Sequence, residues 1–517
     1  MKHVSAQAPA ESRPASFLHR VCLAALLLAA TPGGCATNSG EPAASATIPF
    51  KIELVETNST KLPGLHSFCF SEGFSVCLVL GGRNAGLHGF ANGTNNFPRS
   101  TANTKAYVLD FALDKVVGSV DLVQNLRPEL AGPLTASNQE FVQSGTDLYI
   151  VGGYGTDLTS GEMTTFGSLI KVDVLGLMQA ILSGSTNVGP YFKQIPSPDN
   201  RLKVTGGSLK LLDGTFYLVF GQDFTGSYSV QNRDYNRAGG QFQKYTQKVR
   251  VFTLNPDLSI AKFAQIDGGY NPSLPYNRRD LNVANVLLPD AATPAATVYG
   301  GVFKAGQVAG QTTPIDLFLT SFVASTNNPN TVTLYTNFNQ GLSHYDCANL
   351  TVFDSASKSC FTTLLGGISQ FHYNSQSNIL VQDTLDLANG VDGLPFISTI
   401  STIQRSQQGT NVSFAQFIQP VSLPSLLGAD GQFIRNSFLL PGSQIAPNGV
   451  IKLGGLAGRT LVGHFYGGIE SFGPYSGLVT NNPATFASSR LFEVYVTPGA
   501  SSVTPMPPLP THTTPYP

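Results

Sequence analysis

Six times along this 517-residue chain an apolar, strand-like run ends in glycine. The runs are Leu78-Val79-Leu80-Gly81-Gly82, Tyr149-Ile150-Val151-Gly152-Gly153, Tyr217-Leu218-Val219-Phe220-Gly221, Thr297-Val298-Tyr299-Gly300-Gly301, Leu364-Leu365-Gly366-Gly367 and Ile451-Lys452-Leu453-Gly454-Gly455. Their last glycines fall at 82, 153, 221, 301, 367 and 455. Self-similarity at an interval of tens of residues is the mark of a repeat fold. Glycine without a Cβ lets each strand turn sharply where neighbouring units crowd together. No helix pattern follows these pairs, which excludes a phosphate-binding loop.

Each unit reads as four strands. Ala106–Asp110 is followed by Val116–Val120, Val249–Leu254 by Ala261–Ile266, and Pro395–Ile400 by Ser413–Ile418, with polar turns between. Only 12% of residues are charged, against about 25% in ordinary globular chains. The balance lies in glycine and small polar residues, a composition for short strands and tight turns. Sheets apolar on both faces need neighbours on both faces, and radial repetition supplies them. The sequence therefore predicts an all-β, six-bladed β-propeller of four-stranded antiparallel blades over residues 49–498. The ring is expected to close with the N-terminal strand Pro49–Val55. The sixth unit is framed on Gly454-Gly455, because Ser437-Phe438-Leu439-Leu440-Pro441 matches Asn285-Val286-Leu287-Leu288-Pro289 upstream of the fourth pair. Gly467-Gly468 is then an inserted hairpin. A strand ending in Gly-Gly, a loop, and a strand such as Tyr107-Val108-Leu109-Asp110 resemble the kelch repeat, whose galactose oxidase-like propellers have this fold. The chain departs from that pattern in having no Trp and in repeats longer than about 50 residues.

The N-terminus carries its own signal. Arg20 precedes an apolar stretch, Val21–Ala30, too short to cross a bilayer, then small residues up to Cys35. This resembles the lipobox of bacterial lipoproteins, which implies a signal peptide over 1–34, lipidation at Cys35 and a tether over 35–48. Ala36 by the same resemblance implies the outer membrane or cell surface. The Pro- and Thr-rich tail, 499–517, is expected to be disordered. Beyond Cys22 and Cys35 four cysteines remain, which allow three pairings. In an exported chain two local disulfides, Cys69–Cys77 and Cys347–Cys360, are the economical choice.

Ligands of propellers sit at the mouth of the axial channel, where loops after the Gly pairs converge. Those loops offer Arg83, His88, Tyr154, Asp157, Gln222, Asp223, Lys304, Gln370, His372, Arg459 and His464. From them Arg83, Asp223, Lys304, Gln370, His372 and Arg459 form the candidate ligand set, polar in a way that suits a sugar or a carboxylate. A net charge of −1 without a basic run excludes nucleic acid as partner. Neither HExxH nor GxSxG occurs, and no metal or cofactor is expected. The expected function is a membrane-anchored module that binds a glycan or protein partner. The alternative is a carbohydrate enzyme resembling the kelch-type sialic-acid epimerases, with an arginine clamp and a His or carboxylate for proton transfer.

Overall fold

The computed structural model describes residues 45–57, 61–89, 96–212, 214–228, 242–267, 276–302, 315–317, 332–383, 393–475 and 485–510. The leader, Cys35, most of the tether and Lys304 lie outside these residues.

The chain is all-β and built from successive four-stranded antiparallel sheets, an architecture that fits a β-propeller. Sheet one contains Cys69–Phe70, Cys77–Leu80, Lys105–Asp110 and Lys115–Asp121. Sheet two has Glu140–Ser144, Asp147–Val151, Leu169–Asp173 and Phe192–Gln194. Sheet three has Ser208–Leu212, Thr215–Val219, Lys248–Leu254 and Ile260–Asp267, and sheet four Asn282–Leu287, Pro294–Tyr299, Ile315–Leu317 and Val332–Leu334. Asn349–Asp354, Ser359–Ile368, Phe396–Gln408 and Asn411–Ser422 follow as set five. Set six is Gln432–Arg435, Thr460–Tyr466 and Leu491–Pro505, with the N-terminal strand Ala46–Glu56 on its outer edge. Sets five and six are joined where Phe417 and Ile418 pair with Pro505 and Thr504.

The second strands of sheets one, three and four and of set five are nearly all buried, as the unbroken apolar runs require, and Leu78, Leu218, Val298 and Leu364 are fully so. The N-terminal strand buries Ile48, Phe50 and Ile52. Phe50 meets Phe361 edge-on at 5.7 Å. One helix of two and a half turns, Val174–Leu182, interrupts sheet two; Asp173 caps it by accepting from the Gly176 N–H.

A cycle of backbone hydrogen bonds links the six sets. The N–H of Ser67 donates to Asp430, Asp430 to Asp346, Asp346 to Asp280, Asp280 to Gly206, Gly206 to Asn138, and Asn138 back to Ser67, at 2.6–3.3 Å. Each of these residues stands two or three positions ahead of the first strand of its set. Five of them have positive φ, which Asn, Asp and Gly adopt most readily.

Three expectations are corrected. The sixth set turns on Gly467-Gly468, whose φ values are +71° and +96°, whereas Gly454 and Gly455 lie in a 3₁₀ turn. Its first strand is Gln432–Arg435; Phe438 and Leu440 are exposed in the loop that follows. The match at Ser437–Pro441 was one of composition, with only Leu439 buried. Neither disulfide forms: Cys69, Cys77, Cys347 and Cys360 are buried thiols. Cys69 pairs across its hairpin with Leu80, three positions from Cys77, which is roughly 10 Å along the strand. A disulfide needs Cα atoms within about 7 Å. Cys360 faces Phe353, far up the hairpin from Cys347. The last strand runs on to Pro505, and Met506 and Leu509 pack on Leu342, Phe371, Leu380 and Ile397, so the domain extends past residue 498.

Candidate functional site

The loops after the Gly pairs of sheets two and three form a small sheet of their own, Tyr154–Thr156, Met163–Thr165, Gln222–Thr225 and Phe242–Tyr245. Beneath it, over the hydrogen-bonded cycle, lies a cavity of about 50 Å³. That is room for three or four water molecules at roughly 10–15 Å³ each, or for a carboxylate head.

Arg83 reaches this cavity because its backbone bridges His66 on one side and Ala102 on the other. Its side chain is 6% exposed. One guanidinium nitrogen donates to Thr101 Oγ1 at 2.6 Å, and the group lies 4.3 Å over the Phe97 ring. Nε has no hydrogen-bond partner, and no carboxylate of the described residues pairs with this arginine. Burial lowers it to about 10, which leaves it charged at neutral pH.

Two polar chains meet it from the cycle. Arg279 Nε lies 3.0 Å from Asp280 Oδ2, and its Nη1 donates to Gln222 Oε1 at 2.7 Å. Asp280 also accepts from Tyr345 OH at 2.7 Å and Asn138 Nδ2 at 3.0 Å. Burial raises the Asp280 carboxyl, with Arg279 opposing. On the other side Ser67 Oγ donates to Asp430 Oδ2 at 2.7 Å, and His66 Nδ1 lies 2.8 Å from Ser67 Oγ. His66 is 4% exposed and its Nε2 is without a partner. An aromatic cap of His88, Phe97, Tyr154 and Tyr228 covers the cavity; Phe97 is 4.7 Å from His88 and 5.1 Å from Tyr154, and His88 is 4.2 Å from Tyr228.

Of the five candidate ligand residues among those described, only Arg83 lies here; Lys304 is outside the described residues. Asp223 pairs with Lys203 at 3.7 Å outside the cavity. Gln370 is buried beside Ser343, whose Oγ accepts from its backbone N–H. His372 pairs with Asp383 at 3.1 Å in a separate hairpin. Arg459 lies on the outer edge, where it binds Glu53 at 2.8 Å and stacks on Tyr495. From the wider loop set His88, Tyr154 and Gln222 do line the cavity. The residues not anticipated, His66, Arg279, Asp280, Tyr345 and Asp430, belong to the segments ahead of each first strand. A signal existed: Ser67, Asn138 and Gly206 each precede the last glycine of their unit by the same interval. No group of three or more His, Cys, Asp or Glu side chains able to hold a metal occurs among the described residues.

No protein-family model matches the chain, and no curated protein sequence matches it. Among solved structures it is similar to that titled "Structure of YjhT", at 12% identity and a TM-score of 0.42 over 83% of this chain and 99% of that one. The fold reading rests on the sheets and hydrogen bonds described above.

Proposed function

We propose that the chain is a six-bladed, kelch-like propeller closed by its N-terminal strand, and that it binds an acidic sugar by its carboxylate at the Arg83 cavity. The cycle of six backbone hydrogen bonds and the pairing of Ala46–Glu56 with Leu491–Pro505 support the ring. The ligand reading is carried by Arg83, a buried guanidinium with no carboxylate partner among the described residues. A charge held from water without a counter-ion is costly, and an anion relieves that cost. The cavity takes the carboxylate, while the sugar body lies against the aromatic cap. Export and a lipid anchor at Cys35 complete the proposal, placing the module on the outer membrane or cell surface.

A carbohydrate enzyme is the second reading. It is favoured by the convergence of Arg83, His66 and the Asp430 and Asp280 carboxyls on one cavity.

Calorimetry on the full chain tests both. Glucuronate and N-acetylneuraminate are expected to bind at least ten-fold more tightly than glucose, because a charge-assisted hydrogen bond contributes about 1.5–3 kcal/mol. Arg83→Gln should erase the difference. Equal binding of acid and neutral sugar would overturn the proposal. Interconversion of sugar anomers or epimers, followed by NMR at catalytic protein concentrations, would establish the enzyme instead.

A further inference from the structure

The first strands of the six sets run away from the hydrogen-bonded cycle on the side opposite the Arg83 cavity. They enclose a second chamber, of about 400 Å³, within the range of small-molecule sites. Ser67 and Asn138 line both spaces, so the cycle is the partition between them.

Two unlike groups in this chamber form no ion pair among the described residues. Glu140, at the start of its strand and 3% exposed, accepts the Gly207 N–H through Oε1 at 2.7 Å. That is its one side-chain hydrogen bond among the described residues, and Arg250 acts on it only through its charge, not through an ion pair. Lys210 lines the same chamber from the neighbouring strand, and its ammonium has no hydrogen-bond partner among the described residues. Gly207 and Lys210 are three residues apart along the chain, a backbone step of roughly 10 Å. Burial raises the Glu140 carboxyl to about 8, with the Arg250 charge opposing only in part, and lowers Lys210 to about 8, with Glu72 opposing in part. Asp346 lies beside Glu140 at the deep end, and the mouth is flanked by Glu72, already paired with Arg435 at 3.2 Å.

We propose that this chamber is a second binding site, for a small zwitterion whose ammonium meets Glu140 and whose carboxylate meets Lys210, a short peptide in extended form. Three extended residues span about 10 Å, which matches the backbone step from Gly207 to Lys210. A neutral sugar would leave both groups uncompensated, and a simple anion or cation would leave one. The proposal stands independently of the acidic-sugar reading, since Arg83 lies on the far side of the partition.

Titration calorimetry of the full chain with triglycine, N-acetyl-triglycine and triglycine amide tests it. Triglycine is expected to bind, and each blocked form to bind at least ten-fold more weakly. Glu140→Gln should weaken triglycine but leave the N-acetylated form unchanged; Lys210→Met should weaken triglycine but leave the amide unchanged. Arg83→Gln should alter neither. Lys210→Met, at the half-buried position, keeps the test intact if Glu140→Gln does not fold. No binding of triglycine to the wild-type chain, or equal binding of all three peptides, would overturn the proposal. So would a neutral hexose that competes with triglycine and depends on Glu140 to the same degree.

Discussion

The backbone N–H of Ser67 donates to the carbonyl of Asp430 at 3.1 Å, and their side chains meet again where Ser67 Oγ donates to Asp430 Oδ2 at 2.7 Å. These contacts join sheet one to set six across most of the sequence. Another contact of that length is made by the N-terminal strand, anchored by Phe50, which is fully buried. Phe50→Ala is therefore expected to cost about 3–5 kcal/mol, read as a lower midpoint in urea unfolding. A loss below 1 kcal/mol would mean that this strand does not hold the domain together.

The two glycine pairs of the sixth unit give opposite predictions. A Cβ on Gly467 would lie 2.5 Å from the Leu65 carbonyl oxygen, on a backbone with φ of +71°. At Gly454 the nearest atom is Ser355 Oγ, 3.9 Å away. Gly467→Ala should destabilise by about 1–3 kcal/mol, and Gly454→Ala by no more than about 0.5 kcal/mol. Thermal denaturation of the two variants distinguishes them, and the reverse order would restore the Gly454-Gly455 frame.

Stability should fall as pH rises from 7 to 8. The folded-state value of Glu140, about 8, lies above its ordinary value, and burial likewise raises Asp346 and Asp280. Such groups stabilise fully below their unfolded values, and that contribution is lost as pH climbs through the folded ones. Burial holds His344 low, at about 4, so it stays neutral in the folded chain across this window. Lys210, lowered to about 8, works in the opposite sense mainly above pH 8. Glu140→Gln should flatten the slope by on the order of 1 kcal/mol per pH unit. An unchanged slope in urea titrations at pH 7 and 8 would refute the assignment.

Thiol chemistry provides the fourth test. Burial pushes the Cys69, Cys77 and Cys347 thiols up, so they resist reagents that need thiolate. Ellman's reagent should leave Cys69, Cys77, Cys347 and Cys360 unreacted in the native chain and label all four in denaturant. Reductant should not change the melting temperature. A reductant-dependent shift would reveal a disulfide.

The strands were legible because burial on both faces writes itself as unbroken apolar runs, as at Leu78–Leu80 and Thr215–Val219. Strand pairing within a unit was also legible, since polar turns such as Asn255-Pro256-Asp257 separate the runs. The sixth unit misled because Gly454-Gly455 looks in sequence like Gly467-Gly468, and only the backbone conformation at each pair separates them. The cysteines misled because sequence proximity around a hairpin says nothing of register. Arg83 was found because it follows a glycine pair directly. Arg279 and His66 were not, because they precede a strand whose inward end is defined only by the neighbouring sets. Glu140 and Lys210 read as ordinary strand residues; their isolation arises from enclosure by all six first strands.

One pairing has a bearing on how such a chain is made. Residues 46–56 leave the ribosome long before the strand they join, 491–505. Ile48, Phe50 and Ile52 thus wait for that partner strand while the residues between are made. A folding route with so distant a contact is slow, and the waiting strand edge is open to wrong partners. A holdase on the nascent chain would find its target there. Moving the first strand to the C-terminus by circular permutation should speed the last step of folding without altering a single native contact.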